Sequence, residues 1–69
     1  MLVYAIQYSD DDALDLKAVA LNQVDAQNRF KQLAGNYGYS LKTATRYISI
    51  EIWDGVTGEY IRDLKPITE

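Results

Sequence analysis

The sequence predicts an α+β fold, β-β-α-β-β, in which an antiparallel sheet carries one helix packed on one face. Three observations predict it. "LVYAIQYS" and "RYISIEIWD" alternate apolar and polar residues with a period of two, the mark of strands with one buried face. "VDAQNRFKQLAG" places its apolar residues at helical spacing instead. Between the alternating runs stand "SDDDA" and "DGVTG", whose Asp, Ser and Gly residues favour tight reversals. With 69 residues, 48% of them hydrophobic and 25% charged, the chain reads as one compact domain over residues 1–69, with a thin core.

The first hairpin sets Leu2, Tyr4, Ile6 and Tyr8 on one parity, with Val3, Ala5 and Gln7 opposite. Leu14, Leu16, Ala18 and Ala20 repeat the pattern, with Asp15, Lys17 and Val19 opposite. Leu and Ala also open helices and Ala is a poor strand former, so residues 14–21 stand as strand or helix. Asn22 is placed as the helix N-cap, with Asp25 in a position to reach back. Ala26, Phe30, Leu33, Ala34 and Tyr37 then form the apolar stripe, Gln27 and its polar neighbours face water, and Gly35 is placed as the C-cap. "NYGYSLKTAT" reads as a loop holding two tyrosines around a glycine. The strand from Thr45 to Trp53 buries Ile48, Ile50 and Ile52 and sets Tyr47, Ser49, Glu51 and Trp53 on the other face. Glu59 to Leu64 returns antiparallel, and Pro66 ends it.

Composition narrows the function. Cysteine is absent, so no disulfide framework supports the small core, and a reducing cytoplasm is the expected location. "MLVYAIQYSDDD" lacks the basic start of a signal peptide, and no run approaches the roughly 20 apolar residues of a membrane span. Histidine is absent too, which removes the commonest general base, and the serines have no base near them to activate them. An enzyme is not expected, nor is a cofactor. The run Asp10-Asp11-Asp12 with Asp15 lacks the alternation, central Gly and closing Glu of a calcium loop, and reads as a solvated hairpin tip; no metal is expected. The net charge of −3 disfavours general nucleic-acid binding.

Six tyrosines and one tryptophan against one phenylalanine suit a recognition surface, where such rings offer contact area with a polar handle. Because one helix covers one side of a sheet, the other side meets solvent or a partner. The residues expected to make a protein-binding site there are Tyr47, Glu51, Trp53, Tyr60 and Arg62, with Tyr39 at the rim. Trp53 and Tyr60 would be anchors, and Glu51 and Arg62 would fix register. The bland alternative is that Trp53 and Tyr60 are cross-strand neighbours which merely stabilise a marginal sheet.

The order of strand, strand, the helix of "ALNQVDAQNRFKQLAG" and the hairpin "RYISIEIWDGVTGEYIRD" resembles that of very small inhibitor proteins of phages and mobile elements, including some anti-CRISPR proteins. The resemblance covers most of the chain and lies in element order, so no functional residue is carried over. It implies a stand-alone inhibitor that docks on a host defence or nucleic-acid-processing complex. Two other readings use the same aromatic face: a single-stranded nucleic-acid binder and a homodimer. The mixed charges of Glu51, Asp54, Glu59 and Asp63 around Arg46 and Arg62 favour a protein partner over nucleic acid.

Overall fold

The computed structural model describes residues 1–10 and 13–68; Asp11 and Asp12, in the run expected as a solvated hairpin tip, lie outside the described residues, as does Glu69. Four strands form one antiparallel sheet: β1 (Leu2–Ser9), β2 (Leu14–Ala20), β3 (Ile48–Asp54) and β4 (Tyr60–Leu64), in spatial order β2-β1-β3-β4. Helix α1 (Gln23–Tyr37) lies across one side and a single turn, α2 (Leu41–Ala44), follows it. The smallest extent of the molecule is 16 Å, so among the described residues one helical layer sits on one sheet with no third layer. No helix among the described residues is long and apolar enough to cross a membrane.

Alternation builds the core as expected. Tyr4 and Ile6 from β1 meet Ile48, Ile50 and Ile52 from β3, and Ala26, Phe30 and Ala34 of α1 close over them. Phe30 and Ile6 are wholly buried. Small Ala18 and Ala20 on the helix side of β2 let α1 approach that strand closely. Asn22 caps the helix: its Oδ1 accepts from the Asp25 N–H at 2.9 Å, while its Nδ2 donates to the Asp25 carboxylate at 3.0 Å.

Several expectations are corrected. Residues 14–20 are strand, but the pairing of β1 with β2 shifts between Ile6 and Gln7, so Lys17 is an extra residue. Ala18 and Ala20 oppose Ile6 and Tyr4 on the helix side, whereas Leu16 opposes Gln7 and Leu14 opposes Ser9. The bulge thus moves Leu14 and Leu16 to the face that α1 does not cover, beside Val19. Leu2, placed with the core by parity, is 47% exposed because β1 begins there.

Secondly, Gly35 lies inside α1 and the cap is Gly38, in the left-handed region at φ 75°. Its N–H donates to Gly35 O at 3.1 Å and the next N–H, of Tyr39, to Ala34 O at 2.9 Å, closing the helix end. Thirdly, within the expected loop and strand start at residues 36–47, residues 36–37 end α1 and residues 41–44 form α2, capped by the Ser40 hydroxyl, which accepts from the Thr43 N–H at 3.2 Å. A turn follows, with the N–H groups of Arg46 and Tyr47 donating to Thr43 O and Ala44 O. β3 therefore begins at Ile48, and Tyr47 is outside the strand. Fourthly, Gln27 is no mere water-facing residue. Its Nε2 donates to Lys65 O at 3.1 Å and its Oε1 accepts from the Ile67 N–H at 2.9 Å, which ties the chain beyond β4 to the helix around Pro66.

The β3–β4 turn is built by Asp54, whose carboxylate accepts from the N–H groups of Val56 (2.8 Å) and Thr57 (3.2 Å). Those two bonds hold its carboxyl below the ordinary value of 3.8. Gly58, at φ 76°, completes the reversal.

Candidate protein-binding face

The face without a helix is built from alternate residues of four strands. Its registers form straight rows across the sheet: Val19, Ala5, Glu51 and Asp63 in one, and Val3, Trp53 and Tyr60 in the next. Leu16, Gln7 and Ser49 form a third. Leu14, Leu16 and Val19 are 64%, 60% and 50% exposed, which is unusual for branched aliphatics grouped on one strand. By ordinary side-chain areas these three leave roughly 300 Å² of apolar surface in water, about the size of the largest patch on a typical monomer before Trp53 and Tyr60 are added.

The polar part of the face is organised around Glu51. Its Oε1 accepts from Gln7 Nε2 at 2.6 Å and from Trp53 Nε1 at 3.3 Å. Trp53 meets Tyr60 edge to face, with ring centroids 5.6 Å apart. The Tyr60 hydroxyl donates to Asp63 Oδ1 at 2.8 Å, and this bond, followed by desolvation, raises its pKa above the ordinary 10.0. Tyr60 and Asp63 can meet because a second bulge, between Ile52 and Trp53 in the β3–β4 pairing, alters the spacing along β4.

The six residues expected to share one site fall in three places. Glu51, Trp53 and Tyr60 stand together on the open face. Arg62 opposes Ile52 and therefore points to the helix side, so it cannot fix register beside Glu51. Tyr39 and Tyr47 belong to a separate cluster at one end of the helix side. There Tyr8 stacks on Tyr37 (centroids 4.5 Å) and Tyr47 (6.2 Å), while Tyr39 stacks on Tyr37 (5.8 Å) and Tyr47 (5.1 Å). The hydroxyls of Tyr8 and Tyr39 lie 3.3 Å apart. That hydrogen bond, with desolvation second, pushes the Tyr8 phenol up to about 12. Tyr47 joins this group because the turn after α2 carries it out of the alternation of β3.

Sequence reasoning set Val19 opposite the core side but missed Leu14, Leu16 and Asp63 on the open face. One signal was available for the leucines: Val19 and Leu16 have opposite parity, and both being large while Ala18 and Ala20 are small suits an extra residue between them. Among the described residues, no group of three or more His, Cys, Asp or Glu is placed to hold a metal ion. The concavity between the end of β2 and the start of α1 is shallow, with Leu21, Asp25, Arg29 and Gln32 in its walls.

Set against known protein families, curated proteins and solved structures, the chain matches none.

Proposed function

We propose that this protein is a non-enzymatic protein-binding module that works through the helix-free face of its sheet. The observation that carries the reading is the exposure of Leu14, Leu16 and Val19 on the same sheet face as Trp53 and Tyr60. Apolar area of that size, rimmed by polar groups, marks interaction surfaces, and aromatic residues dominate their energetics. Docking on a host defence or nucleic-acid-processing complex, as a phage inhibitor does, is the finer form of this function that the element order suggests.

Two other occupants fit less well. A single strand of nucleic acid would meet Glu51 and Asp63 side by side on adjacent strands, where both repel phosphate, while Arg62 lies on the far side. A second copy of the chain would bring the same two carboxylates into a sheet-to-sheet contact, with its Arg62 on the far side and unable to meet them.

Alanine substitution tests the reading. Trp53→Ala and Leu16→Ala are expected to weaken capture of the partner, with Trp53→Ala costing about 2 kcal/mol or more of binding, roughly thirtyfold. The partner is to be identified by crosslinking from a photoreactive residue at position 16 or 53, followed by titration of the purified protein. Undiminished affinity in both folded variants would remove the face from the function.

A further inference from the structure

Resting on that reading of the open face, we infer the chemistry of its occupant: a protein segment that presents an arginine or lysine between Glu51 and Asp63, with apolar side chains beside it over Val19 and Leu16. Glu51 and Asp63 are direct cross-strand partners, two carboxylates in register on adjacent strands. Like charges so placed destabilise a sheet unless a cation lies between them. Among the described residues no base pairs with either: Lys65, two residues along from Asp63, is exposed and makes no ion pair with it. The one ion pair found among the described residues joins Lys17 to Asp15 at 3.8 Å, and Arg62 stands on the helix side.

Both carboxylates are also held in place. The bonds from Gln7 and Trp53 converge on Glu51 Oε1, and that from Tyr60 reaches Asp63 Oδ1. Glu51 Oε2 and Asp63 Oδ2 accept from no side chain among the described residues, so they remain for a donor from outside. A guanidinium fits such a place best. Its planar donors can bridge two carboxylates, and it is attracted to aromatic faces such as those of Trp53 and Tyr60 alongside. A lysine would satisfy the charge without the planar fit.

The apolar half sets the spacing. Val19 lies two strands from Glu51 in the same row, which at the usual distance between strands is about 10 Å. Ala5, between them, is the smallest residue of the row and leaves a dip that a partner side chain can enter. A segment with one basic residue and apolar residues about 10 Å away would cover the face without burying an unpaired charge.

The test is a selection followed by titration. A randomised peptide library is displayed and selected on the immobilised full chain, and the enriched peptides are titrated against the wild type, Leu16→Ser and the double variant Glu51→Gln/Asp63→Asn. The enriched peptides are expected to carry Arg or Lys together with apolar residues. They should bind the double variant at least tenfold more weakly, and replacing their Arg by the neutral isostere citrulline should give the same loss. The urea midpoint of the double variant should hold or rise, since removing two facing charges relieves repulsion, whereas a merely structural role would lower it. Peptides without a basic residue, or ones that bind the double variant as tightly but lose Leu16→Ser, would overturn the cation and leave the open face standing. Peptides indifferent to all three substitutions, or no enrichment at all, would overturn both.

Discussion

Replacing Leu16 with alanine separates the two parities that β2 could adopt. Strict alternation from Ala18 and Ala20 would put Leu16 under the helix, where a Leu→Ala change costs about 2–5 kcal/mol through lost burial and the cavity left behind. The bulge at Lys17 puts it on the open face instead, with 60% of its surface in water. Full burial of a leucine side chain is worth about 1.5–3 kcal/mol, so the two-fifths that is covered here contributes about 1 kcal/mol at most. A chain of 69 residues has a total stability of roughly 3–10 kcal/mol, so the two outcomes are far apart. With a urea slope near 1 kcal/mol/M for so small a domain, the midpoint should fall by about 1 M or less. The assay is urea unfolding followed by far-ultraviolet circular dichroism and Trp53 fluorescence, at two protein concentrations tenfold apart. Phe30→Ala, at a wholly buried position, serves as the core reference and should cost about 3–5 kcal/mol. A Leu16→Ala midpoint lowered as far as that of Phe30→Ala would refute the bulge. A cost that grows with protein concentration would show that a second copy covers the face, and would refute the foreign-partner reading.

Three further outcomes are expected. Asn22→Ala should destabilise the protein by about 1 kcal/mol and Asn22→Ser by much less, measured by the same urea titration, because only the serine can still accept from the first helical turn. Gly55→Ala should cost about 1–3 kcal/mol, since its Cβ would stand 2.9 Å from Val3 Cγ2 and 3.3 Å from Met1 O; adding Val3→Ala should return part of that loss, and no recovery would place the strain elsewhere. The Tyr8 phenol, raised in the fold from 10.0 to about 12, supports the native state fully below pH 10 and loses that contribution as the pH rises from 10 to about 12. Ultraviolet phenolate titration of the wild type against Tyr8→Phe should therefore show Tyr8 ionising late, and a Tyr8 component near pH 10 in the folded protein would contradict the Tyr8–Tyr39 contact.

The amino-acid sequence determined by itself whatever depends on near neighbours in the chain. The alternation of Ile48, Ile50 and Ile52 is a local period, and it specified both a strand and its buried side. Asn22 and Asp25 are three residues apart, so their mutual capping was legible without the rest of the fold. Trp53 and Tyr60 were readable as hairpin partners because one short turn joins their strands. The tertiary structure decided what depends on distant partners. The extra residue at Lys17 satisfies the pairing of β2 with β1 and the packing of Ala18 and Ala20 under α1, and neither constraint is written in residues 14–20 alone. Extending α1 from Gly35 to Gly38 keeps Tyr37 stacked on Tyr8, a contact between residues 29 positions apart. Arg62 and Glu51 were separated by a bulge that shifts one side of a pairing by a single residue, and a period of two turns such a shift into a change of face. For that reason the open face could be foreseen, whereas Leu14, Leu16 and Asp63 on it could not.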